Sequence, residues 1–121
     1  MPNVWTDAHR NAAAQAIAAL GNRIGLYVGG TRIGTVYADT TWGTATKINE
    51  SGVDKAQIIG SKVTISIPGG TLTSGAVIDH YGVHNGTTLL RRIPLPFSLT
   101  VGDGAQSVDV DVTPILKLRG E

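Results

Sequence analysis

Few residues in this chain could carry chemistry. None of the 121 residues is cysteine, so a thiolate nucleophile, a disulfide framework and a sulfur-ligated metal are all excluded. Two short constellations remain. Asp79, His80 and His84 form the first: positions four apart on an extended strand face the same side, so the two imidazoles could meet one ion. A metal site would need a third ligand and supporting partners, and Asn85-Gly86 begins a turn immediately after His84, so polar residues beside a hairpin tip are the simpler reading. Asp109 and Asp111 are the second constellation. On one strand face their Cα atoms would stand about 6.5 to 7 Å apart, a spacing that suits paired-carboxylate attack on a polysaccharide. Nothing nearby would raise either pKa, and alternating Asp and Val is also what a half-wet strand looks like. No serine sits in a Gly-x-Ser-x-Gly elbow and no glycine loop has phosphate-cradling spacing. The expectation is a non-enzyme with no catalytic residue, no metal site and no cofactor.

The elements that would position these residues centre on Lys62 to Pro96. Val63, Ile65 and Ile67 alternate with Lys62, Thr64 and Ser66, the period of a strand with one buried face. Pro68-Gly69-Gly70 ends it. Asn85-Gly86 lies between apolar runs at Ala76–Val83 and Thr87–Ile93, which predicts a two-residue type I′ hairpin and makes the whole stretch a β-meander.

Around it, Thr6 suits an N-cap and Asp7 the positive end of a helix dipole. The spacing predicts a helix to Leu20, stopped by Gly21-Asn22, with Ala12, Ala13, Ala16, Ile17 and Leu20 on one thin apolar face. Such a face buries little area per residue. It therefore packs either on the chain's own sandwich or on a neighbouring subunit, and removing residues 1–22 should weaken association more than it unfolds the rest. Arg23–Val28 and Arg32–Tyr37 read as strands joined by Gly29-Gly30, and Thr41–Ile48 as a third. Asn49–Lys55 reads as a polar surface loop, and Ala56–Gly60 as a short apolar run of open type. Pro94 and Pro96 bracket Leu95 at an edge or crossover. Phe97–Val101 resumes a strand, Gly102-Asp103-Gly104 turns it, and Val108, Val110 and Val112 should face the core before Pro114 ends the last regular strand. The fold class is mainly β: an antiparallel β-sandwich or jelly roll with one N-terminal α-helix, divided into an arm and helix at 1–22 and a sandwich at 23–121.

Composition narrows the partners. Ten Lys and Arg stand against nine acidic residues, so no overall field would draw nucleic acid or an anionic membrane. No apolar run approaches the roughly 20 residues of a membrane span, and the first ten residues lack the basic and apolar segments of a secretory signal. Charged residues make up 16%, below the usual quarter, while apolar ones reach 41%, which fits a turn-rich β domain that covers part of its surface with a partner.

The order IPGGTLTSGAVIDHYGVHNGTTLLRRIPLP, then a hydrophobic strand, a Gly-Asp-Gly turn and an alternating strand, resembles a family of small phage virion proteins. So do the alanine-rich opening from Thr6 to Leu20 and the segment from Tyr37-Ala38 to Trp42-Gly43. These proteins come from long-tailed phages of actinobacterial hosts and are described as head-decoration (minor capsid) or tail-fibre-like proteins. Here Leu26-Tyr27-Val28-Gly29-Gly30 passes almost directly into Thr31, where the family has a longer loop, so a role carried by that loop does not transfer. The resemblance implies a structural protein made in the host cytoplasm and placed on the outer capsid surface. It would bind the major capsid protein as a small homo-oligomer, a trimer, and cement the shell. The alternative it leaves open is a tail-associated, fibre-like module that binds a host surface glycan, near Asn49–Lys55 or His80–Asn85. Candidate interface residues are Trp5 in the arm, Ala12, Ala16, Ile17 and Leu20 on the helix, and Arg91 and Arg92, which as strand neighbours point to opposite faces.

Overall fold

The computed structural model describes residues 5–119; residues 1–4 of the predicted arm and residues 120–121 lie outside it. One helix, α1 (Asp7–Ala18), is followed by nine strands: β1 (Arg23–Val28), β2 (Thr31–Asp39), β3 (Thr46–Glu50), β4 (Val53–Ile59), β5 (Val63–Ile67), β6 (Val77–Asn85), β7 (Thr88–Thr100), β8 (Val108–Val112) and β9 (Ile115–Leu118). All pairings are antiparallel. The fold is a β-sandwich with one N-terminal helix.

One layer is a four-stranded sheet in the order β2-β1-β6-β7. Its inner face presents Ile24, Leu26, Ile78, Tyr81 and Val83 to Val63, Ile65 and Ile67 of β5 and to Val110 and Val112 of β8, forming the main core. Strand alternation produces both faces of this contact: β5 buries every second residue and leaves Thr64 and Ser66 exposed. The second layer consists of two stretches of the same two chain arms. The β5–β8 pairing covers the four-stranded sheet; past Gly60 and Pro114 the arms continue as the β4–β9 pairing, joined by β3. A Cβ on Gly60 would stand 2.5 Å from Thr40 Oγ1 and 2.8 Å from Pro114 Cγ, so only glycine fits where the arms change role. The Gly60 N–H donates to the Pro114 carbonyl at 2.8 Å.

The β3-β4-β9 sheet carries α1. Ala14 and Ala18 pack on Ala56, Ile58 and Leu116 as a second core, and Trp42 lies between the two cores with its indole N–H donating to the Gly21 carbonyl at 3.0 Å. Thr6 caps the helix through the His9 N–H. The buried face is Arg10, Ala14 and Ala18, a rotation away from the expected stripe; Ile17 is half-buried, while Ala12, Ala16 and Leu20 face outward. Arg10 is held there because its guanidinium is satisfied: it donates to the carbonyls of Arg119 and Trp5 and to Asp7.

Several local expectations change. Lys62–Pro96 is not a meander, because β5 pairs with β8 rather than β6. Asn49–Lys55 is a hairpin rather than a loop: β3 and β4 turn at Ser51-Gly52, both at positive φ. The expected strand at Thr41–Ile48 starts only at Thr46; Trp42 makes a single bridge to Gly60. In the β6–β7 hairpin Asn85 pairs with Thr88, so the turn residues are Gly86 and Thr87, with positive φ at Gly86 alone. A bulge at Leu90 shifts the register of the ladder just before this turn. β7 continues through Pro94 and Pro96, as its place at the sheet edge permits, with its register against β6 shifting between the Pro94–His80 and Leu99–Ile78 pairs.

Candidate functional site

The sandwich is open along one side. β7, β8 and β9 each have one edge without a partner strand among the described residues, and between them lies a cleft of about 390 Å³. Its walls are Ile93, Pro94 and Pro96 of β7 and Ile115 and Leu116 of β9, with Thr113 and Lys117 at the rim. A second hollow of about 300 Å³ continues it toward Leu95, Leu99 and Val112. Tyr81 is common to both. Its hydroxyl accepts the Ile115 N–H at 3.0 Å, tying β6 to the start of β9, and burial pushes its pKa up.

Arg91 also lines this cleft. It stands opposite Val83 in the ladder, so it points inward between the layers, while Arg92, opposite Gly82, points outward. Among the described residues Arg91 has no hydrogen-bond or ion-pair partner: Nε and Nη2 are buried without an acceptor, and the Trp42 ring lies 5.8 Å from Cζ. Desolvation lowers its pKa, opposed by Tyr81. Lys117 at the rim is already paired with Glu50 at 2.8 Å, an ion pair that also lowers the Glu50 pKa. Arg92 is engaged elsewhere, donating to the Gly29 carbonyl at 2.6 Å and lying over Tyr27.

The remaining candidates lie apart. Ala12 and Ala16 face outward on α1, and Leu20, 57% exposed, follows just past its end. Trp5 is half-buried, edge-on to His9 at 4.7 Å. Near the helix end, Leu90 lies against Gly21, and Leu89 and Leu90 are exposed.

The histidines do not form a metal pair. Both lie on the outer face of the four-stranded sheet, as expected for residues four apart on a strand, but burial and partners separate their roles: His80 is half-buried and bonds Asp79 at 2.8 Å, whereas His84 is fully buried. The Arg23 carbonyl can only accept, so His84 Nδ1 carries the proton and Nε2 accepts the Tyr27 hydroxyl at 2.9 Å. Burial lowers the His84 pKa, and Arg32 and Arg23 add to that. Gly25 and Gly82 form the floor that lets Tyr27, Tyr37 and His84 lie close to the sheet. Among the described residues no group of three or more His, Asp or Glu stands close enough for a metal. Asp109 and Asp111 are both exposed on β8, with Asp111 accepting from Thr64 at 2.6 Å. No described helix is long and apolar enough to cross a membrane.

Sequence reasoning flagged Arg91 but could not say which of two adjacent arginines faced inward. It missed Tyr81 and the cleft, whose walls come from strands far apart in the chain. Comparison with protein-family models, with curated proteins and with solved structures gives no match.

Proposed function

We propose that this chain is an assembly protein that works by binding, not by catalysis: a phage virion structural protein that sits on the outer head surface as a capsid decoration, or minor capsid, protein. Its partners are the major capsid protein and further copies of itself, arranged as a trimer, and it stabilises the shell by spreading buried area over several contacts. The observation that supports an assembly role is the open side of the sandwich, where apolar walls, unpaired strand edges and the unpaired Arg91 meet. Apolar surface next to unpaired edges is characteristic of protein–protein contacts. The virion location rests on the sequence resemblance. Electron microscopy of intact particles labelled with antibody to this chain tests it. Label over the head is the expected result, together with heads that open at lower temperature when the chain is missing. Label confined to the tail would replace this reading with the fibre-like, glycan-binding one.

A further inference from the structure

We propose that the cleft between β7 and β8–β9 receives an extended segment of a partner protein and that a carboxylate on that segment pairs with Arg91. This deepens the assembly role and rests on it. A guanidinium with Nε and Nη2 out of reach of water and of any acceptor is costly to hold, and Arg91 is held that way at the wall of a largely apolar cleft. A carboxylate is the group that would match the planar fork, taking two parallel hydrogen bonds after rotation of the flexible side chain away from Trp42. The rest of the cleft fixes the form of the ligand. Its walls are Ile93, Pro94, Pro96, Ile115 and Leu116, which suit alternating apolar side chains of an extended strand. Pro94 and Pro96 have no N–H to offer a partner strand, so Arg91 is the main specific polar contact on the β7 wall.

A segment of a different protein fits the cleft better than the described residues of a second copy. Among the described residues every acidic side chain except Asp109 already has a hydrogen bond or ion pair within the chain. Asp109 lies within the paired strand β8 and is not free to enter another copy's cleft in extended form.

The test is a display selection of random heptapeptides on the folded full-length chain. The expected result is enrichment of segments with Asp or Glu between apolar residues. Changing that acid to its amide should weaken binding roughly tenfold to a hundredfold. Arg91→Met should abolish the acid preference, and Arg91→Lys should keep only part of it, with circular dichroism showing both variants folded. Peptides enriched without an acid, equal binding by Arg91→Met, or no enrichment at all would each overturn the proposal. Concentration-dependent self-association lost in Arg91→Met would also overturn it, by making a second copy the occupant. Selection reads the cleft whether or not the chain sits on a particle, whereas particle labelling reads location alone, so the two ideas fail separately.

Discussion

Arg91→Met should make the isolated protein more stable, against the usual direction for a change at a half-buried site. The arginine holds Nε and Nη2 away from any acceptor, and a buried unsatisfied donor group costs about 1–3 kcal/mol. Removing the charge also removes its attraction to the Trp42 ring at 5.8 Å, worth about 0.5–1 kcal/mol. Methionine restores a comparable contact, because a thioether beside an aromatic ring contributes about 0.3–1.5 kcal/mol. The balance is a gain of about 1–2 kcal/mol, or roughly 4–8 °C in melting temperature for a domain of this length. Urea unfolding at neutral pH measures it as a higher midpoint with an unchanged slope. Arg92→Met is the internal control: that side chain is exposed and donates to the Gly29 carbonyl, so its loss should leave stability unchanged or slightly lower. A fall in stability for Arg91→Met equal to that for Arg92→Met would refute the reasoning. It would mean that the inward guanidinium is satisfied in the free protein and carries no strain for a partner to relieve.

Three further outcomes follow from the geometry. Because burial holds the His84 pKa below 6.5, the unfolded chain takes up a proton that the folded one refuses; stability should be complete above pH 6.5 and fall as the pH drops below it. His84→Gln should flatten that slope in urea midpoints between pH 7.5 and 5, and an identical slope would show that the ring is not the group responsible. Gly86→Val forces a β-branched residue into φ +61 where nothing crowds the side chain, so backbone strain alone should cost about 1–2 kcal/mol; an unchanged melting temperature would misplace the turn. Deleting residues 1–20 uncovers Ile58 and Leu116, and two large apolar side chains lose roughly 3–6 kcal/mol on exposure, so the truncated chain should unfold in calorimetry rather than merely associate less. A folded truncated monomer would restore the expectation of a dispensable helix.

The strands with one wet face were legible in the sequence. Val63, Ile65 and Ile67, like Val108, Val110 and Val112, show which side is buried because their neighbours are polar. Alternation does not name a partner, and these two runs pair with each other across the chain rather than with their neighbours in sequence. The β3–β4 hairpin was hidden because an edge strand such as Thr46–Glu50 buries too little to show a period. On the helix, alanines on every side left no hydropathy contrast to set the rotation, and the carbonyl partners that let Arg10 lie on the buried face cannot be read from its neighbours in sequence. The same limit applied to the cleft: Ile93 ends one apolar run and Leu116 lies in another stretch far along the chain, and nothing local records that the layers part between them.

The arrangement of the two arms also governs the order in which the protein can come into being. β5 has no strand partner until β8 is made, Thr64 and its partner Asp111 being 47 residues apart, and the sheet beneath the helix lacks its third strand until β9 follows. On the ribosome, the first two-thirds of the chain can form little more than hairpins and a loosely docked helix. The open edges of β5 and β4 then wait for the final strands, and the molecule closes in one late event. An internal stop even a dozen residues early would leave no smaller working version, only a chain with both its cores open.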